Sequence, residues 1–308
     1  MKVLFLGTPE FAVKSLHALL SSSHEVVGVV TQPDRALKHG KSEFSAVKTA
    51  ATEAKLPIFQ PVKIRDDIET LKALGADIAV TAAYGQLLNC EFLGAFDKGV
   101  INVHASLLPK YRGASPIQAA IAAGDKITGV TIMRTELGLD TGDILSAVDT
   151  EIGESETFGE LSDRLGMLGA RLLINTLDGY DGIVPKKQND AEATHCRTIK
   201  KSEQYIDFSS DAQKVVNFIR SLSPVPCAKT LINGEIFKIY RAKALDDDYS
   251  EHACGTVVQS DHKLVISCGR GAVEILNIQA PSKRALDTAE FLRGRKFEIG
   301  VTCATPQL

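Results

Sequence analysis

Short apolar runs, each followed by a stretch of helical periodicity, recur through the first hundred residues, and this repeat limits the possible folds more than any other feature of the chain. Lys2–Leu6 reads as a buried strand, Glu10–Ser21 as an amphipathic helix carrying Phe11, Leu16, Leu19 and Leu20, and Glu25–Thr31 as a valine-rich strand. Gln32–Lys48 is mainly a polar loop, with a helix beginning near its end and running to about Ala54. Strands are expected at Pro57–Gln60, Ile78–Ala82 and Gly99–His104, a helix over Asp67–Leu74 and a helical turn over Leu93–Asp97. Such strands, alternating with helices, assemble through right-handed βαβ units into a parallel, doubly wound sheet. Ligands on these sheets sit beyond the carboxyl ends of strands. Tyr84-Gly85 and Asn102–Pro109 both follow strands and are expected on that rim.

Ile117–Ala123 and Thr157–Thr176 continue as helices, and then the pattern changes. Asp181–Glu203 mixes Pro185, Lys186, Lys187, Asn189, Asp190, Lys200 and Lys201 without clear periodicity and reads as a linker. Beyond it comes a helix at Asp211–Ser221. Short strands follow at Ala228–Ile232, Glu235–Ala242, Gly255–Gln259, Lys263–Ser267 and Val273–Gln279, which describe a small β-barrel or sandwich. The expected organisation is an N-terminal α/β domain over 1–184, a linker over 185–203 and a β domain over 204–308.

Charge and cysteine usage narrow the function. A formal charge of −3 over 308 residues gives no bulk attraction to nucleic acid, so any RNA contact must be local. The six cysteines are scattered without a CxxC pair, which fits a reducing compartment better than a disulfide framework or a zinc site. No run reaches the ~18 apolar residues of a membrane span. A cytoplasmic, monomeric protein without a metal is expected. The turn Gly7-Thr8-Pro9-Glu10 is not GxGxxG: Pro9 removes an N–H and Glu10 places a carboxylate where a pyrophosphate would bind, against nicotinamide or flavin chemistry.

Three polar residues stand out at the ends of apolar runs. Asn102 and His104 are two apart, so on one strand their side chains share a face. Asp140, between Gly138 and Gly142, joins them only if the run Gly129–Met133 and the Gly-rich turn bring it back. An amide, an imidazole and a carboxylate suffice to move an acyl group between nitrogens. Singly, each has a plainer reading: a loop-satisfying Asn, a packed His and an Asx turn.

Asn102-x-His104, Ser106-Leu107-Leu108-Pro109 with Arg112-Gly113, and Gly129-Val130-Thr131 followed by Gly138-Leu139-Asp140-Thr141-Gly142-Asp143 resemble the folate-dependent N-formyltransferases. Phe5–Ala12, Val30–Arg35, Ala83-Tyr84-Gly85, Pro116-Ile117-Gln118, Ile206-Asp207-Phe208, Ile219-Arg220 and the segment 255–294 extend the similarity from end to end, toward members that act on initiator tRNA. The resemblance implies a Rossmann-like formyltransferase domain followed by an OB-like β-barrel. It implies 10-formyltetrahydrofolate as donor and the α-amino group of methionyl-initiator tRNA as acceptor. Asn102 and His104 would hold the oxyanion of a tetrahedral intermediate, while Asp140 would orient His104 and relay a proton. Ser106, Leu107, Leu108 and Pro109 would bind folate, with Tyr84, Gly85, Gln86, Leu87 and Leu88 as a further wall. Arg35, Lys38 and Lys41 would grip the acceptor end of the tRNA, with further phosphate contacts from Lys186, Lys187 and Lys200. The same trio would serve an enzyme that formylates an amino sugar nucleotide or glycinamide ribonucleotide, and a non-catalytic folate- or tRNA-binding protein is the alternative outside enzymes.

Overall fold

The computed structural model describes residues 1–36 and 42–304. They divide into two compact units, one of residues 1–116, 127–151 and 162–196, the other of 117–126, 152–161 and 197 onward. No helix of the described residues is long and apolar enough to cross a membrane.

In the first unit seven strands form one sheet: β1 (Lys2–Gly7), β2 (Glu25–Val30), β3 (Ile58–Phe59), β4 (Ile78–Ala82), β5 (Val100–His104), β6 (Ile127–Arg134) and β7 (Ile144–Glu151). Their spatial order is β7-β6-β5-β4-β1-β2-β3. The strands from β3 to β5 are mutually parallel, as the alternating pattern requires. β6 and β7 are added antiparallel. Strand β7 has no counterpart in the expected pattern because it is a sheet edge: Ala147, Asp149 and Glu151 face solvent, leaving no continuous apolar run.

The central strands are buried throughout; Val3 to Leu6 and Ile78 to Val80 are fully covered. Helices α1 (Glu10–Leu20), α2 (Ala46–Glu53) and α3 (Ile68–Lys72) lie near their expected positions. Ser45 starts α2 by accepting the Lys48 N–H at 3.0 Å. The helical turn expected at Leu93–Asp97 lies one turn earlier, as α4 (Cys90–Leu93), because Asn89 caps it by accepting the Phe92 N–H. Phe92 and Phe96 meet edge to face at 5.2 Å and join Leu4, Leu6, Ile68, Leu71 and Tyr84 in one core cluster.

In the second unit, α5 (Ala212–Leu222) packs on an antiparallel sheet of β8 (Ala228–Ile232), β9 (Glu235–Leu245), β10 (Val257–Ser260), β11 (Leu264–Ser267) and β12 (Ala272–Gln279), ordered β8-β9-β12-β11-β10. β13 (Ala285–Asp287) pairs with β12. Register shifts near Arg241 bend β9. Thr302 then bridges Thr256 and Ala304 bridges Leu231, so the chain end spans the two sheet edges and curls the sheet into a half-barrel. Phe237, Phe291 and Phe297 fill its interior. Arg220, almost fully buried, donates to the Gly153 and Glu156 carbonyls and to Asn217.

The pairing of β6 with β7 depends on Gly129. A Cβ there would lie 2.1 Å from the Val148 carbonyl oxygen and 2.6 Å from Leu107. Gly129→Ala should therefore cost about 2–4 kcal/mol, read as a lower urea midpoint at unchanged m-value; a wild-type midpoint would mean the strands separate without penalty.

Candidate active site

Parallel pairing places the ends of β1, β4 and β5 on one rim of the sheet, where the strand order reverses between β1 and β4. The Thr8 hydroxyl and the Gln32 amide both donate to the Tyr84 carbonyl at 3.0 Å, tying the segments after β1, β2 and β4 together.

On β5, Asn102 and His104 leave from one face, as their spacing requires. Thr81 of β4 donates to Asn102 Oδ1 at 2.8 Å, which leaves the NH2 end of the amide as the donor end. His104 is 5 % exposed. Its Nε2 lies 3.0 Å from the Tyr111 carbonyl oxygen and must carry the proton that bonds there. The other nitrogen, Nδ1, lies 3.7 Å from Asp140 Oδ2, a little beyond hydrogen-bond range. Burial holds the His104 pKa below its ordinary value, and the Asp140 charge and the Tyr111 carbonyl oppose that shift. His104 is therefore neutral at pH 7.

The antiparallel register brings Asp140 back to this face. His104 pairs with Thr131 and Asn102 with Met133, so the loop after β6 starts next to Asn102 and turns back toward His104. Arg134 donates its N–H to the Asp143 carbonyl at 2.9 Å, and a Cβ on Gly142 would lie 1.9 Å from the Arg134 carbonyl oxygen. Asp140 adopts a φ of +52°, in the left-handed region that Asp tolerates better than most residues. Its Oδ2 accepts the Gly113 N–H at 2.8 Å.

The remaining expected site residues fall into two groups. The Ser106 hydroxyl donates to the Lys110 carbonyl at 2.6 Å and its own carbonyl accepts from Thr131, so this fully buried residue shapes the loop. Leu108 is also buried, while Leu107 and Pro109 are half-buried and face the rim. After β4, Tyr84 points into the core; burial pushes its hydroxyl up to about 12, and that hydroxyl has no partner among the described residues. Gln86 accepts the Ile64 N–H at 2.9 Å and donates to the Pro61 carbonyl at 3.1 Å, Gly85 and Leu87 are exposed, and Leu88 packs partly on the core.

Arg35, Lys186, Lys187 and Lys200 are exposed. Lys38 and Lys41 lie outside the described residues. Lys48 is committed elsewhere, pairing with Asp34 at 2.5 Å and stacking over Phe44 at 4.2 Å. Among the described residues no group of three or more His, Cys, Asp or Glu is placed to hold a metal ion.

Thr81, Tyr111, Thr131 and Gln188 support the trio but carry no sequence signal of their own. Residues 185–196, expected to begin a linker, run along the first unit: Lys186 exchanges backbone hydrogen bonds with Ile144, and His195-Cys196 pairs with Arg112-Gly113.

Residues 1–177 match the family model described as formyl transferase, and residues 198–296 match that of the formyl transferase C-terminal domain. The chain belongs to the formyl transferase family. A methionyl-tRNA formyltransferase of Agathobacter rectalis is 42 % identical over 97 % of this chain and 98 % of its own length. Another, of Lachnospira eligens, is 42 % identical over 98 % and 99 %. Among solved structures, the N-formyltransferase of Helicobacter canadensis in complex with folinic acid and dTDP-3-aminofucose superposes with a TM-score of 0.69 at 19 % identity, covering 91 % of this chain and 100 % of its own, which shows a shared fold. Formyl transferases use folate derivatives.

A buried neutral His104 leaves a trace in stability. The folded chain holds its pKa below the ordinary 6.5, so the unfolded state takes up the extra proton first on acidification. The associated stability is complete above pH 6.5 and declines as the pH falls from there toward the folded-state value. The unfolding free energy of wild type relative to His104→Gln should accordingly shrink between pH 7.5 and roughly 5. A gap that stays constant across that range would show that folding leaves the His104 pKa unshifted, and a gap that widens would show His104 to be charged when folded.

Proposed function

We infer that this formyl transferase carries the formyl group of 10-formyltetrahydrofolate to the α-amino group of methionine on initiator tRNA, as a cytoplasmic, monomeric enzyme of translation initiation. The observation that carries this reading is the 42 % identity to methionyl-tRNA formyltransferases over both family-matched regions and nearly the full length of both chains. The likeness to an N-formyltransferase solved in complex with an amino sugar nucleotide is one of fold alone.

The bound donor supplies an activated formyl carbon, and the chain's own groups supply the rest. Negative charge develops on the formyl oxygen as the amine adds. The NH2 end of Asn102, turned by Thr81, is the donor available to that oxygen, and one such donor contributes roughly 3 kcal/mol. His104 rests neutral with Nδ1 uncommitted to backbone, so it accepts the proton that the attacking amine must lose. Asp140 then faces the imidazolium it helped to form, and the same pair returns the proton to the departing nitrogen. Asp140 thus acts through charge and position, held by the Gly113 N–H.

The donor's flat ring fits the surfaces presented on the rim. Exposed Leu87 and half-buried Leu88, Leu107 and Pro109 supply apolar walls, while Tyr84, Gln86, Ser106 and Leu108 fix the backbone beneath them and Gly85 permits close approach at a φ of +90°. Arg35, Lys38, Lys41, Lys186, Lys187 and Lys200 are the phosphate contacts we assign to tRNA. The catalytic domain is assigned to the first unit, through residue 196, and the tRNA-contacting domain to the second.

A formyl-transfer assay with 10-formyltetrahydrofolate, comparing methionyl-tRNA, a nucleotide amino sugar and glycinamide ribonucleotide, should give product with methionyl-tRNA alone; turnover of either small acceptor would overturn the assignment. Asn102→Ala should lower kcat about 100-fold with KM nearly unchanged, because its donor acts mainly in the transition state. An equal loss in binding and rate would remove that role. Replacing Lys38 and Lys41 together should weaken tRNA binding and reduce the salt slope by up to about 2, whereas an unchanged slope would remove the loop from the interface.

A further inference from the structure

Gln188 sits in the segment 185–196 that runs along the first unit, and its side chain makes four hydrogen bonds. Its Nε2 donates to the Asp140 carbonyl at 2.9 Å and to the Gly142 carbonyl at 2.7 Å. Its Oε1 accepts from Arg112 Nε at 3.0 Å and Arg112 Nη2 at 2.9 Å. Arg112 is 4 % exposed and also pairs with Asp190 at 2.7 Å. The amide therefore has one allowed orientation. Rotated by half a turn, it would set its N–H groups against a guanidinium and its oxygen against two carbonyls.

We propose that Gln188 is a positioning residue for the reaction: its amide clamps the loop that carries Asp140 so that the carboxylate stays opposite His104, and Arg112 dictates which way round that amide sits. The proposal rests on the reading that His104 and Asp140 handle the transferred proton. Gly142 presses the loop onto β6 from one side, where no Cβ fits, and Gln188 holds it through the carbonyls on either side of Thr141. The neighbouring Gly113 aims the Asp140 carboxylate directly. Residues 112 and 113 thus serve both ends of Asp140, the side chain of one fixing its backbone and the N–H of the next fixing its charge. The titratable and charged groups in this neighbourhood include His104, Asp140, Glu136, which packs against Gly142, Arg112, Asp190 and the Cys196 thiol, which donates to the Tyr111 and Arg112 carbonyls at 3.4 Å.

Gln188→Glu separates the two functions of the amide. The carboxylate still accepts from Arg112 but cannot donate to the loop carbonyls and repels them. Gln188→Met removes both contacts at similar length and covers the case in which the Glu variant does not fold. In the full-length protein kcat should fall at least about 10-fold, with KM for both substrates changed less than about 2-fold. In Gln188→Met, which adds no charge, the His104 titration, followed by nitrogen NMR without substrate, should move to lower pH, because in wild type the nearby Asp140 charge favours the imidazolium against burial. A loss of rate matched by the loss of folded protein, with the His104 titration unmoved, would make Gln188 merely structural and overturn the proposal. Since the titration needs no substrate, it tests the clamp even if methionyl-tRNA proves not to be the acceptor.

Discussion

The antiparallel pairing of β5 with β6 is the constraint on which the site depends. A purely parallel β6 would have ended on the rim beyond His104, whereas this antiparallel strand ends at Arg134, opposite Ile101. Because β6 runs back along β5, with His104 opposite Thr131 and Asn102 opposite Met133, the loop that follows starts next to Asn102 and must turn back to set Asp140 3.7 Å from His104. Every later detail refines that placement: the Arg134–Asp143 hydrogen bond, the close approach at Gly142 and the left-handed backbone at Asp140. β7 then pairs back onto β6 and covers an edge that would otherwise present unpaired groups.

Burial of His104 and the position of Asp140 act against each other, and the balance suits a group that must both accept and release a proton. Burial alone would keep the imidazole neutral and make it a poor holder of a proton. A closely hydrogen-bonded carboxylate would keep it charged and make it a poor base. At 3.7 Å the carboxylate opposes the desolvation without cancelling it, so the pKa remains lowered. The Tyr111 carbonyl fixes which nitrogen takes part, since Nε2 is bonded there and Nδ1 is the one that faces Asp140.

What could be read from the sequence follows from the range of the interactions involved. The side-chain period of a strand is local, so the common face of Asn102 and His104 was legible from a spacing of two. So were the buried strands of the parallel core, whose runs are apolar on both faces. The return of Asp140 was legible as a requirement, met here by the register of β6. Strand β7 was not, because a half-exposed edge carries no unbroken apolar run. Gln188 was not legible either: it is 48 residues from Asp140, and the polar, aperiodic segment around it reads as a linker. Its order comes from contacts with residues that sequence alone cannot bring near, Arg112 and Ile144 among them.

The chemistry and the choice of acceptor are encoded differently. Asn102, His104 and Asp140 lie on or against the sheet and are oriented by buried partners, so their geometry is insensitive to what approaches from solvent. In the proposed mechanism they act on the amine that reaches them, whatever carries it. Discrimination therefore falls to groups that can meet a large polyanion beyond the reacting atoms. Among the described residues, the exposed lysines and arginines proposed as phosphate contacts have that reach, since the chain as a whole carries a net charge of −3 and cannot attract tRNA in bulk. Local cations on an otherwise neutral-to-acidic surface select for register as well as charge: an RNA must present phosphates where these side chains stand, or gain nothing from binding.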